Sequence, residues 1–128
     1  MIHSNQVRIG NYLLNTYSEP EIMAKVTSIN DHQIGCNIEG VKVHLSYKFE
    51  NYKPIPLTGE MLAIFPETRP LKIEHNSGGI FYHTATGQAV ELNYLHQLQN
   101  LYFTITGEEF PLNFEIINAA TRLIRVTA

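Results

Sequence analysis

The residues of this 128-residue chain best spaced for chemistry lie in its last third, where His96, Gln99, Asn100 and Phe103 follow i, i+3, i+4 and i+7. On a helix that spacing projects all four together, opposite an apolar stripe of Leu98, Leu101 and Ile105. An imidazole, two carboxamides and an aromatic ring can hydrogen-bond to a flat ligand or a partner and stack on it. These four are the candidate binding residues. The competing arrangement buries both faces of the helix and satisfies His96 and the amides inside the fold.

Other chemistry has less to rest on. Six histidines, His3, His32, His44, His75, His83 and His96, show no HxxxH spacing, and there is no CxxC. Zinc sites normally carry close-spaced ligand pairs, so no metal and no other cofactor is expected. Cys36 falls on the apolar face of a hairpin, which suits a buried, inert thiol. There is no G-x-S-x-G elbow, and Gly78-Gly79 lacks the Lys-Ser/Thr of a phosphate loop. Glu108-Glu109 reads as a solvated pair after a helix end, and Asp31 as a turn residue. No catalytic set emerges, and the chain reads as a non-enzyme.

The totals describe one domain over 1–128. Hydrophobic residues make up 44% and charged residues 16%, enough to bury a core at this length without disulfides. A single cysteine, no visible signal peptide and no membrane-length apolar run lead to the expectation of a protein kept in a reducing cytoplasm. Nine basic against twelve acidic residues, scattered along the chain, disfavour binding to a phosphate backbone. A nucleic-acid-binding barrel would need Lys25, Lys42 and Lys48 gathered on one surface, with bases stacking on Tyr12, Tyr17, Tyr47 or Tyr52.

The elements that must position these residues are strands first. Residues 7–15 and 22–30 read as strands, the first with Gly10 at a bulge or close approach and the second ending at the Asn30-Asp31 turn. Ile34, Cys36 and Ile38 alternate with polar residues, as do Val41, Val43, Leu45 and Tyr47. Glu39-Gly40 supplies a two-residue hairpin link that pairs 38 with 41, 36 with 43 and 34 with 45. Thr58 then caps a short helix reaching about Phe65. A second hairpin pairs 75 with 80, and the main helix runs from an Asn93 cap to Thr106, with Gly107 as its stop. The stretch after Leu112 fits a helix or a closing strand. The fold expected is α+β: an SH3-like small antiparallel β-barrel over about 1–53, with a helix–hairpin–helix portion over about 54–128 packed on it.

RIGN at 8–11, IPLT at 55–58, HQLQNLYF at 96–103 and TGEEF at 106–110, in this order, resemble a group of small proteins of unknown function from Bacteroidetes bacteria, their phages and mobile elements. Gly59 and Met61 depart from that group's usual helix opening. The resemblance implies a phage or mobile-element origin and no reaction. The R-I-G-N strand opening also looks like that of small SH3-like barrels, a likeness of fold without function. The function expected is a non-catalytic binding protein that acts on a host protein or sequesters a small ligand, with counter-defence a role its suspected origin suggests. A nucleic-acid-binding barrel and a structural or assembly component, self-associating as a homo-oligomer, are the alternatives.

Overall fold

The computed structural model describes residues 6–17, 21–38, 45–69 and 71–127, with side chains through residue 120. The protein is α+β and divides into two compact units, residues 1–55 and 56–128.

The first unit is a curled antiparallel half-barrel of five strands: β1 (Tyr12–Asn15), β2 (Ile22–Ile29), β3 (Gln33–Ile38), β4 (Leu45–Lys48) and β5 (Tyr52–Lys53), in the order β4-β3-β2-β1-β5. β1 begins five residues later than its apolar run suggests, because residues 8–11 form a turn. The Asn11 N–H donates to the Arg8 carbonyl over 3.0 Å, and Gly10 takes a φ of 98°. That is the third position of a type II turn, which glycine occupies without steric cost. The Asn11 side chain is fully buried and accepts from the Arg8 N–H at 2.7 Å. Pairing of Leu13 with Ala24, Ala24 with Ile38, and Val26 with Cys36 puts their side chains on one face, where they form the core with Ile34 and Tyr52. Tyr52 closes it by donating its hydroxyl to the Ile34 carbonyl at 2.8 Å, beside Cys36 Sγ at 3.2 Å.

The β3–β4 hairpin corrects the expected register. Cys36 pairs with Leu45 and Ile34 with Tyr47, rather than 36 with 43 and 34 with 45. The displacement is two residues. Side chains repeat every two, so such a slip leaves each apolar residue on the same face, and the alternation that excludes a one-residue slip cannot detect it. The expected Glu39-Gly40 link, with Val41, Lys42 and Val43, lies outside the described residues.

In the second unit, α1 (Gly59–Ile64) starts where Thr58 Oγ1 accepts from the Met61 N–H at 3.2 Å. β6 (Ile73–Asn76) and β7 (Gly79–His83) form the second hairpin with His75 opposite Ile80, as the pattern requires. A third strand, β8 (Ala89–Glu91), pairs with β7. Sequence pattern misses it because its three residues are all exposed and carry no alternation. α2 (Leu95–Thr106) is capped at Tyr94, one residue after the expected Asn93. Its start is held by Gln97, whose carbonyl accepts from the Asn93 and Tyr94 N–H groups at 2.8 and 3.0 Å. Gly107, at φ 75°, stops it in the left-handed conformation. The C-terminal stretch resolves as a helix, α3 (Phe114–Thr127), because Asn113 Oδ1 accepts from the Ile116 N–H at 2.8 Å and Ile117 and Ala120 are buried at helical spacing. Among the described residues no helix is long and apolar enough to cross a membrane.

Candidate functional site

α2 separates the four residues singled out by spacing. His96 and Gln99 are buried, at 4% and 1% exposure, Asn100 is half-buried and Phe103 is exposed. Ile105, expected in the apolar stripe, is exposed as well. Burial changes along the helix rather than around it. Leu95, His96, Leu98 and Gln99 lie inside, and residues 103–105 at the far end lie outside. The four therefore do not form one open patch.

His96 stacks on Tyr94, with ring centroids 5.9 Å apart and planes 13° from parallel, and its Nδ1 is buried without a hydrogen-bond partner. Burial holds its pKa below the ordinary 6.5. The unfolded chain titrates near 6.5 and the folded chain lower, so between those values only the unfolded chain takes up the proton. Stability contributed by neutral His96 is intact above the unfolded value, and is lost as pH falls through it toward the folded one. Urea midpoints measured from pH 8 to pH 5 should fall more for the wild type than for His96→Leu. Parallel profiles would remove His96 from this role.

A cleft in the second unit brings together residues that spacing does not. The wider of two adjoining hollows, about 470 Å³, has Leu62, Ala63, Phe65 and Ile73 along its apolar side and Thr68 and Arg69 at its rim. The narrower, about 280 Å³, is lined by Thr58, Glu60, Glu91 and Asn93. Gly59 and His75 border both. A methyl group built on Gly59 would fall into the His75 ring, against Cε1, Nδ1 and Nε2. The exposed imidazole thus lies directly on the Gly59 backbone and divides the cleft. The wider hollow lies within the roughly 300–1,000 Å³ range of small-molecule sites.

No protein-family model, curated protein or solved structure matches the chain.

The sequence held one signal for the cleft, the glycine at 59 in a helix's first turn, where the absence of a side chain makes room for His75. His75 itself carries no local signal, because its partner lies sixteen residues away.

The surface that nucleic-acid binding would need is only partly present. Tyr17 is exposed and its ring lies 5.2 Å from that of Tyr47, but Tyr12 and Tyr52 are buried. Lys25 sits over the Tyr12 ring, Lys53 pairs with Glu21 at 2.6 Å, and Lys48 lines a hollow with Asp31 and Glu50. Lys42 lies outside the described residues. Cys36 is fully buried, and burial raises its thiol pKa against the opposing effect of the Tyr52 hydroxyl, so the reactive thiolate is disfavoured. Among the described residues no three or more His, Cys, Asp or Glu side chains stand together as metal ligands.

Proposed function

We propose that this protein is a non-catalytic binding protein that sequesters a small ligand in the divided cleft of residues 56–128. The observation that carries the reading is the His75 ring seated on Gly59, with an apolar hollow on one side and a polar one on the other. Such a site receives a ligand with an apolar body and a polar end, and His75, exposed on a strand, can turn aside to admit it. The resemblance through RIGN, IPLT, HQLQNLYF and TGEEF supports an origin in a phage or mobile element and action within a bacterial host, with counter-defence the role that origin suggests. The glycine turn and five-stranded half-barrel support the SH3-like assignment of the first unit.

Native mass spectrometry of the protein recovered from a Bacteroidetes host lysate tests this. The wild type should carry an additional small mass that Ala63→Phe, which fills the wider hollow from the exposed side of α1, abolishes. Bare protein in both samples, or an adduct that survives the substitution, would overturn the assignment. The nucleic-acid reading has one observation of its own, the exposed Tyr17 ring tilted against that of Tyr47, and salt-sensitive oligonucleotide binding lost in Tyr17→Ala would favour it.

A further inference from the structure

The three-stranded sheet of the second unit turns a row of side chains outward, of which Glu91 alone also borders the narrower hollow of the cleft. Glu74 on β6 pairs with Phe81 on β7, and Phe81 pairs with Glu91 on β8. Directly paired residues share a face, with side chains about 5 Å apart, so a half-buried aromatic ring stands between two exposed carboxylates. His83, two residues beyond Phe81, faces the same way.

The carboxylate on one side is fixed in place. Glu74 accepts from His83 Nε2 at 2.6 Å and from Asn76 Nδ2 at 3.2 Å, and these bonds hold its carboxyl below the usual carboxylate range. On the other side, Glu91 Oε1 and the Phe81 ring edge converge over Gly79, at 3.6 and 3.7 Å from a methyl group built there. No bulky side chain can separate them at that residue, since Gly79 takes a φ of 133°.

An aromatic face flanked by carboxylates complements a cation, which gains from the ring quadrupole and from both negative groups. The wider charge pattern agrees. Residues 56–128 carry seven acidic against four basic residues, whereas residues 1–55 carry five of each. We propose that the Glu74–Phe81–Glu91 face docks a basic segment of a partner protein, seating an arginine guanidinium on Phe81 between the two carboxylates. This goes beyond the sequestering of a small ligand, and neither reading depends on the other.

The test is a titration of the full chain, followed through its backbone amide resonances, with a short capped peptide containing two arginines separated by glycine. A second titration uses the same peptide with citrulline, the uncharged isostere, at both positions. The arginine peptide should shift the amides of residues 74, 81, 83 and 91, and the citrulline peptide should not. Glu91→Gln and Phe81→Leu, each with an otherwise unchanged amide spectrum, should weaken binding about threefold or more, as loss of an exposed cation–π or charge contact requires. The variant Glu108→Gln/Glu109→Gln, which removes two carboxylates elsewhere, should bind as the wild type does. Equal shifts with both peptides, shifts centred elsewhere, unchanged affinity in Glu91→Gln, or equal weakening in the Glu108/Glu109 variant would each overturn the proposal.

Discussion

Alanine at Leu98 is expected to cost about 2–5 kcal/mol of unfolding free energy, the range for removing a fully buried leucine side chain whose cavity collapses only in part. Leu98 is fully buried on α2, one residue from buried Gln99 and five from exposed Phe103. Gln99→Ala should cost about 1–3 kcal/mol, because a buried amide is removed and its surroundings lose a polar group. Phe103→Ala should cost less, about 1–2 kcal/mol, since its side chain is 38% exposed. Urea denaturation followed by circular dichroism measures all three. A Phe103→Ala loss equal to that of Leu98→Ala would contradict the gradient of burial along α2. The series also separates scaffold from site. A binding defect in Gln99→Ala must be read against lost stability, whereas one in Phe103→Ala with the fold retained would return the far end of α2 to candidacy as a surface.

The same helix shows how far periodicity reaches. A 3.6-residue pattern assigns residues to faces as though the neighbours ran the whole length of the helix. Here the first half of α2 is buried on a broad front and residues 103–105 are exposed, so polar Gln99 lies inside and apolar Ile105 outside. Where packing partners end is a property of tertiary structure, and no local spacing carries it. The β3–β4 hairpin marks a similar limit. Alternation identified the two strands and the faces of Ile34, Cys36, Leu45 and Tyr47, but could not distinguish registers that differ by two. Where chain chemistry is local, the sequence was sufficient: the Thr58 cap, the Gly107 stop and the pairing of His75 with Ile80 all follow from residues within a few positions of each other.

Neither candidate surface was legible, for a common reason. The cleft exists because His75, from β6, lies on Gly59, from α1, and the acidic-aromatic row exists because β8 brings Glu91 beside Phe81. Both arise from contacts between elements, and one depends on a strand of three exposed residues that no periodicity marks. The helix face with the most suggestive spacing is instead largely committed to packing. An imidazole and a carboxamide at helical spacing serve to hold a fold as readily as to bind a ligand. Burial of His96 and Gln99 is what distinguishes the two uses.

The R-I-G-N turn is a place where a motif reduces to mechanics, and Gly10→Val should be strongly destabilising for that reason. Gly10 holds a φ of 98°, which costs an L-residue about 1–2 kcal/mol and a β-branched one more. The strain cannot be relieved by moving the backbone freely. The Gly10 N–H donates to the Val26 carbonyl and the Val26 N–H to the Asn11 carbonyl, both at 2.8 Å, which ties the turn to β2 on either side of residue 10. Asn11, buried and bonded to the Arg8 N–H, fixes the turn from below. Valine must therefore either adopt a strained conformation or break bonds that join the turn to the half-barrel. A loss of about 2–3 kcal/mol is expected, with Gly10→Asn milder because asparagine tolerates positive φ. Amide-resolved urea denaturation would localise the effect. The earliest loss should fall on residues 8–11 and 24–28, and a Gly10→Val loss below about 0.5 kcal/mol would mean that the turn is not held as these bonds require.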